Sequence, residues 1–175
     1  IFIGHDEKYI TSDIETVVYT SAVKQDNPEY ARAFEIGLRL TKRAAMLGEI
    51  VNRKILIAVA GTHGKTTTTA MIGKLLADAG LDPLVFVGGN TPLFEGSTFR
   101  PGRGKYAVVE ADEYDRSFLT LKPDIAVITN VDEDHLDIYK DLNDIKKTFL
   151  RFCSFAKEGG KIIYFGDDAN INDFI

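Results

Sequence analysis

The chain has 175 residues, 45% of them hydrophobic and 27% charged, a composition of globular proteins with room for one complete domain and part of another. A net charge of −5 argues against a nucleic-acid surface, which needs clustered Lys and Arg, and no stretch is apolar enough to span a membrane. The lone cysteine, Cys153, rules out an internal disulfide and fits a reducing compartment.

At the start, "IFIGHDEKYI" has neither an initiator Met nor the basic start, long apolar run and cleavage site of a signal peptide. At the other end "INDFI" follows closely on a strand-like run, so the chain reads as a piece of a longer protein. "IFIG" and "TVVYTSAV" read as short strands and "NPEYARAFEIGLRL" as a helix with Pro28 in its first turn, together part of a smaller α/β unit. "TKRAAMLGEIVNRK" reads as a helical connection, which sets a domain boundary near Ile50 and divides the chain into residues 1–50 and 51–175.

Beyond that boundary five apolar runs alternate with helical or loop segments: "ILIAVA" (Ile55–Ala60), "LVFVG" from Leu84, "YAVVE" from Tyr106, "IAVITN" from Ile125 and "KIIYF" from Lys161. Unbroken apolar runs belong to strands covered on both faces, so the expected fold is an α/β parallel sheet with flanking helices. One helix follows the first run, with Ala70, Met71, Leu75, Leu76 and Ala79 at helical spacing and Gly80 as its stop. Another spans Leu142–Ala156, capped by Asp141 and ended by Gly159-Gly160, with Leu142, Ile145, Phe149, Phe152 and Ala156 along its core side. Cys153 falls in that apolar pattern as a buried, inert thiol.

Three stretches carry chemistry. "GTHGKTTTT", between the first strand and its helix, brings Gly61, Gly64, Lys65 and Thr66 to a strand-to-helix turn, where main-chain N–H groups and the positive helix end converge on a phosphate. In such loops the lysine reaches outer phosphates and the hydroxyl ligates magnesium. Val59 stands where the Walker A pattern has its leading glycine. "VVEADEYDRSF" ends a strand with Glu110, a carboxylate at the sheet edge where ligands bind, able to hold a metal on the phosphates. For Asp112, Glu113 and Asp115 a solvated loop and a functional role are equally good readings. "ITNVDEDHLDIY" sets Asn130 and then His135 after another strand, and histidine supplies a metal ligand or proton carrier near neutral pH. His63 either touches the ligand or fills the turn, and His5 reads as surface.

Together "GTHGKTTTT", "VEADEYDRSF" and "TNVDEDHLDIY" resemble the Mur ligase family, the ATP-dependent amide-bond enzymes of peptidoglycan assembly, over essentially the whole chain. The family's loop reads Gly-Thr-x-Gly-Lys-Thr without the leading glycine, so Val59 is ordinary there. The resemblance is greatest to the branch that joins L-alanine to UDP-N-acetylmuramic acid. It implies a partial UDP-sugar-binding domain over residues 1–50, a central ATP-binding domain from 51 to 175, ATP and Mg2+ as cofactors, and a bacterial cytoplasmic setting. It also implies that ATP phosphorylates the substrate carboxylate and that the amine then attacks the acyl phosphate.

Carried over by motif, Gly61, Thr62, His63, Gly64, Lys65, Thr66 and Thr67 would hold the phosphates. Thr66, Glu110 and His135 would serve the metal, Lys65 and His135 catalysis, and Ser21 and Asn130 the substrate. Several sister ligases carry a carbamylated lysine on the helix after the His135 position; Phe149 or a neighbour stands there, and no carbamate is expected. Within the family the rival is the tripeptide-recycling murein peptide ligase, with folylpolyglutamate synthase a more distant relative. Outside it the rival is a nucleotide-binding module that performs no ligation.

Overall fold

The structure, a computed structural model, describes residues 1–133 and 138–175. It divides into two compact units, Ile1–Leu47 and Gly48–Ile175.

In the first unit, β1 (Thr16–Tyr19) and β2 (Arg39–Lys42) pair in parallel, Thr16 beside Arg39 through Tyr19 beside Lys42. They are joined through α1 (Pro28–Glu35), whose first turn is capped by the Asn27 side chain accepting from the Glu29 and Tyr30 amides. Two features differ from the sequence reading. "IFIG" forms no strand: Ile1 and Ile3 are exposed and Phe2 stacks on Tyr9 with ring centroids 4.1 Å apart. Apolar residues alone do not make a strand without a neighbour to take their main-chain groups. The helix also stops early, because Gly37 turns into the left-handed region and the Gly37 and Leu38 amides fold back on the Phe34 and Ala33 carbonyls. That stop releases residues 39–42, read as helix, into β2.

The division between units falls inside α2 (Arg43–Val51). The second unit is built on a six-stranded sheet. Its strands are β3 (Ile55–Ala60), β4 (Leu84–Thr91), β5 (Ser97–Arg100), β6 (Tyr106–Glu110), β7 (Ile125–Ile128) and β8 (Lys161–Tyr164), in the order β5-β4-β6-β3-β7-β8. All neighbours are parallel except β5, which runs against β4 at one edge. The five apolar runs are thus the five parallel strands. β5 escaped the sequence reading because "STFR" is a mostly exposed edge strand with no apolar run.

β3 is central. It pairs with β6 (Val59 beside Glu110) and with β7 (Ala60 beside Ile128), so three strand ends finish level. α3 (Lys65–Asp78) packs back on the sheet through Thr69, Ala70 and Gly73, with Ile72 and Leu76 against a core of Ile57, Val85, Val87, Phe94 and Val108. Met71 and Leu75, expected on that stripe, are exposed instead. The helix lies so near β4 that a β-carbon on Gly73 would come within 2.9 Å of Val85, so this point of the facing stripe takes a glycine.

α4 (Leu142–Ser154) starts where the Asp141 side chain accepts from the Asp144 amide, and it buries Ile145, Thr148, Phe149, Phe152 and Cys153. Phe118 stacks on Phe152 at 4.8 Å and meets Phe149 edge-on at 5.4 Å. Burial pushes the Cys153 thiol up to about 11, well away from thiolate chemistry at neutral pH. α5 (Ala169–Asn172) closes the described chain, with Asp168 as its cap. No described helix is long and apolar enough to cross a membrane.

Phe149→Ala removes a fully buried ring from this cluster and should cost roughly 3–5 kcal/mol of stability. Chemical denaturation checks the loss. In the unaltered protein Cys153 should stay silent to a thiol reagent at pH 8 until the fold is opened.

Candidate phosphate cradle and active site

The loop between β3 and α3 is shaped by its glycines and held from the side by β7. Gly61 (φ 137°) and Gly64 (φ 80°) take conformations that L side chains avoid, and a β-carbon on Gly61 would lie 2.0 Å from Thr129 Oγ1. Gly64 is the N-cap of α3 and offers no side chain to the first turn, whose amides therefore face outward.

Asn130, just past β7, works as a splint: its Oδ1 accepts from the His63 amide at 2.8 Å and its Nδ2 donates to the His63 carbonyl at 3.0 Å. The Thr129 hydroxyl donates to that carbonyl at 2.6 Å, and the Thr62 amide donates to the Asn130 carbonyl at 3.0 Å. Thr62 Oγ1 also accepts from the Asp132 amide at 2.9 Å. The next residue is anchored in turn, with the Val131 amide donating to Asp168 at 3.0 Å and Asn170 donating to the Val131 carbonyl at 2.8 Å.

Two side chains at the start of α3 meet acids from the end of β6. The Thr66 hydroxyl donates to Glu110 Oε1 at 2.9 Å, and the other Glu110 oxygen accepts from the Gly88 amide on β4. A β-carbon on Gly88 would sit 2.7 Å from that carboxylate, so any larger residue there would push the carboxylate aside. Lys65 donates to Glu113 Oε1 at 2.9 Å and to the Gly61 and Thr62 carbonyls at 2.7 and 3.2 Å.

Glu113 is 3% exposed, whereas Asp112 and Asp115 are exposed, so the acidic run divides into one site residue and two solvated ones. Burial raises the Glu113 carboxyl above the ordinary glutamate range, with the Lys65 bond pulling the other way. Its segment is braced from behind. The buried Tyr139 hydroxyl donates to the Glu113 carbonyl at 2.6 Å, and burial holds that phenol well above its usual range. Arg116 lies over the Tyr139 ring at 5.4 Å and pairs with Asp144 at 2.9 Å. Asp115 and Arg116 both sit in the left-handed region (φ 52° and 54°), which costs roughly 1–2 kcal/mol per residue for non-glycines.

Loop 61–66, Glu110 and Asn130 therefore share the carboxyl edge of the sheet, with Thr67 exposed one residue further along α3. His63 is exposed, and its main chain rather than its ring is what the loop uses. His135 lies outside the described residues. Ser21 belongs to the first unit, in an exposed turn after β1, and His5 is exposed there with Nδ1 3.3 Å from Glu29. Phe149, at or beside the position of the sister ligases' carbamylated lysine, is core. Sequence reasoning left Glu113 undecided and passed over Gly88 and Tyr139. The one signal available for Glu113 was its place three residues after Glu110; residue type does not separate it from its exposed neighbours.

The edge presents outward main-chain amides, one ammonium and a hydroxyl–carboxylate pair. The amides and ammonium suit a polyphosphate, and the Thr66 and Glu110 oxygens suit a hard cation. Among the described residues no group of three His, Cys, Asp or Glu side chains forms a ready cage. A cation here would share its coordination with phosphate and water, which is the habit of magnesium.

Comparison with known proteins gives the family. The Mur ligase middle domain matches residues 59–175, and the domain described as Mur ligase family, catalytic domain, matches residues 1–55. UDP-N-acetylmuramate--L-alanine ligase of Persephonella marina is 47% identical over 175 residues, covering 100% of this chain and 38% of its own length. The crystal structure of the Thermotoga maritima UDP-N-acetylmuramate-alanine ligase, MurC, superposes with a TM-score of 0.83 at 30% identity, over 99% of this chain and 40% of that one. A murein peptide ligase from Psychrobacter arcticus gives 0.82 at 29% identity, over 98% and 40%. The chain thus spans about two fifths of the length of the relatives it matches. On the match of the middle domain to two thirds of its length, the chain belongs to the Mur ligase family.

Proposed function

We propose that this chain is a section of a longer ATP-dependent ligase that joins L-alanine to the carboxylate of UDP-N-acetylmuramic acid, in peptidoglycan synthesis. The observation that carries the reading is the cradle itself, Lys65 and the first turn of α3 beside Glu110, in a chain 47% identical to a protein of that name. In this reading residues 1–50 belong to a UDP-sugar-binding domain and residues 51–175 to the ATP-binding domain. A cytoplasmic setting suits the buried thiol of Cys153.

The chain's own residues do the positioning. The first-turn amides of α3 receive the phosphates, and Lys65 neutralises charge on the phosphoryl group as it passes to the substrate carboxylate. The amine then attacks the resulting acyl phosphate and inorganic phosphate leaves. Thr66 and Glu110 would hold one magnesium ion, and the chemistry such an ion supplies is charge neutralisation on phosphoryl oxygens. Asn130, assigned to substrate from the resemblance, has its amide group already committed to His63, which supports a role in holding the loop. His135, Ser21 and Thr67 keep the metal, substrate and phosphate roles that the resemblance implies.

Lys65→Ala in the full-length enzyme should lower alanine-dependent phosphate release by on the order of 10³ or more, with no recovery in excess magnesium. Glu110→Ala should recover part of its loss as magnesium is raised, because the residue acts through the metal. Matching, unresponsive magnesium profiles would remove Glu110 from the metal site. Gly88→Ala should behave like Glu110→Ala, since its methyl group would displace that carboxylate. Phosphate release that depends on a tripeptide in place of alanine would favour the recycling ligase.

A further inference from the structure

Lys65 has no donor to spare. An ammonium carries three N–H bonds and accepts none. Here the three contacts are the Gly61 carbonyl at 2.7 Å, the Thr62 carbonyl at 3.2 Å and Glu113 Oε1 at 2.9 Å. A phosphate oxygen can reach this ammonium only by taking one of those places.

The three partners are not equivalent. Two are carbonyls of the lysine's own loop, three and four residues back along the chain, and they move with it. The third comes from a separate segment after β6 and carries a full negative charge. If phosphate displaced a carbonyl, two anions would crowd one ammonium. If it displaces Glu113, one anionic partner replaces another and the loop keeps its internal bonds. Glu113 is also built to stay behind when the lysine leaves: its carbonyl is fixed by Tyr139, and Arg116 ties the same turn to Asp144 on α4.

We propose that Glu113 is a positioning residue, a counter-ion that holds Lys65 in the loop before nucleotide arrives and yields it to the outer phosphates on binding. The inference rests on the cradle's being a nucleotide site, and it adds a competition within that site. The end of β6 and the segment after it then serve both halves of the cradle, with Glu110 on Thr66 and Glu113 on Lys65, three residues apart. Because carboxylate and phosphate compete for one ammonium, removing the carboxylate's charge while keeping its shape favours phosphate.

The test is ADP binding to the full-length protein by calorimetry in magnesium-free buffer, which removes Glu110 and the metal from the comparison. Glu113→Gln should bind ADP about tenfold more tightly than the unaltered protein, the size of change given by one charge-assisted contact. In steady-state ligation the variant should show a lower KM for ATP together with a lower kcat, because the lysine no longer has a carboxylate to return to as ADP leaves. A purely structural role would weaken binding or leave it unchanged, and either result overturns the proposal.

A second measurement leaves Glu113 in place and covers a Gln variant that does not fold. The Lys65 ammonium signal in a 15N-lysine spectrum, assigned by its loss in Lys65→Ala, should shift when ADP is added to the unaltered protein. An unmoved signal overturns the exchange. Lost binding in Lys65→Ala with unchanged binding in Glu113→Gln would remove the counter-ion role and leave the cradle standing. If ADP does not bind the unaltered protein at all, cradle and counter-ion fall together.

Discussion

Parallel pairing of β3 with β6 on one side and β7 on the other is the constraint from which the site follows. Parallel strands in register end at the same edge, and here the register sets Val59 beside Glu110 and Ala60 beside Ile128. The loop leaving β3 is therefore flanked at once by the acids that follow β6 and by Thr129 and Asn130 that follow β7. A slip of one residue would turn a strand's faces over: in the β3–β6 pairing it would carry Glu110 away from Thr66, and in the β3–β7 pairing it would carry Asn130 away from His63. Asp124 helps fix that register from the opposite end, accepting from the Leu56 amide at 2.7 Å and pairing with Lys157 at the same distance.

With register fixed, each flank does a different job. The β7 side supplies neutral hydrogen-bonding groups that take up the Thr62 and His63 main chain, so the loop is shaped before any ligand contributes. The β6 side supplies charge. Thr66 and Lys65 are neighbours at the start of α3, yet each meets its own acid, and the sheet keeps those acids apart by backbone rather than by side-chain choice. Preorganisation of this kind is how phosphoryl-transfer sites lower their barrier, since little covalent work falls to the protein.

Much of this is legible in the sequence wherever a strand carries an unbroken apolar run, buried in β3, β4, β6 and β7 but exposed in the edge strand β8. The five parallel strands were read from that signal, and the Gly-Lys-Thr turn behind the first of them located the cradle. What was missed lacked that signal. β5 is exposed and polar, β2 was hidden behind a helix stop at Gly37, and "IFIG" had apolar residues but no partner. Met71 and Leu75 fit helical spacing, but the close approach at Gly73 turned a narrower, smaller face to the sheet. Glu113 is the instructive case at the site. Its side chain meets Lys65 across the sheet edge and its carbonyl takes the Tyr139 hydroxyl, contacts between segments that no local pattern encodes.

A crystal structure of the full-length protein with ADP and magnesium tests the central claim, that this sheet edge is a nucleotide phosphate cradle. The account predicts the terminal phosphate of ADP against the first-turn amides of α3, with Lys65 Nζ within about 3 Å of a phosphate oxygen. Phosphates bound at any other edge of the sheet, with the loop at residues 61–66 untouched by ligand, would contradict it.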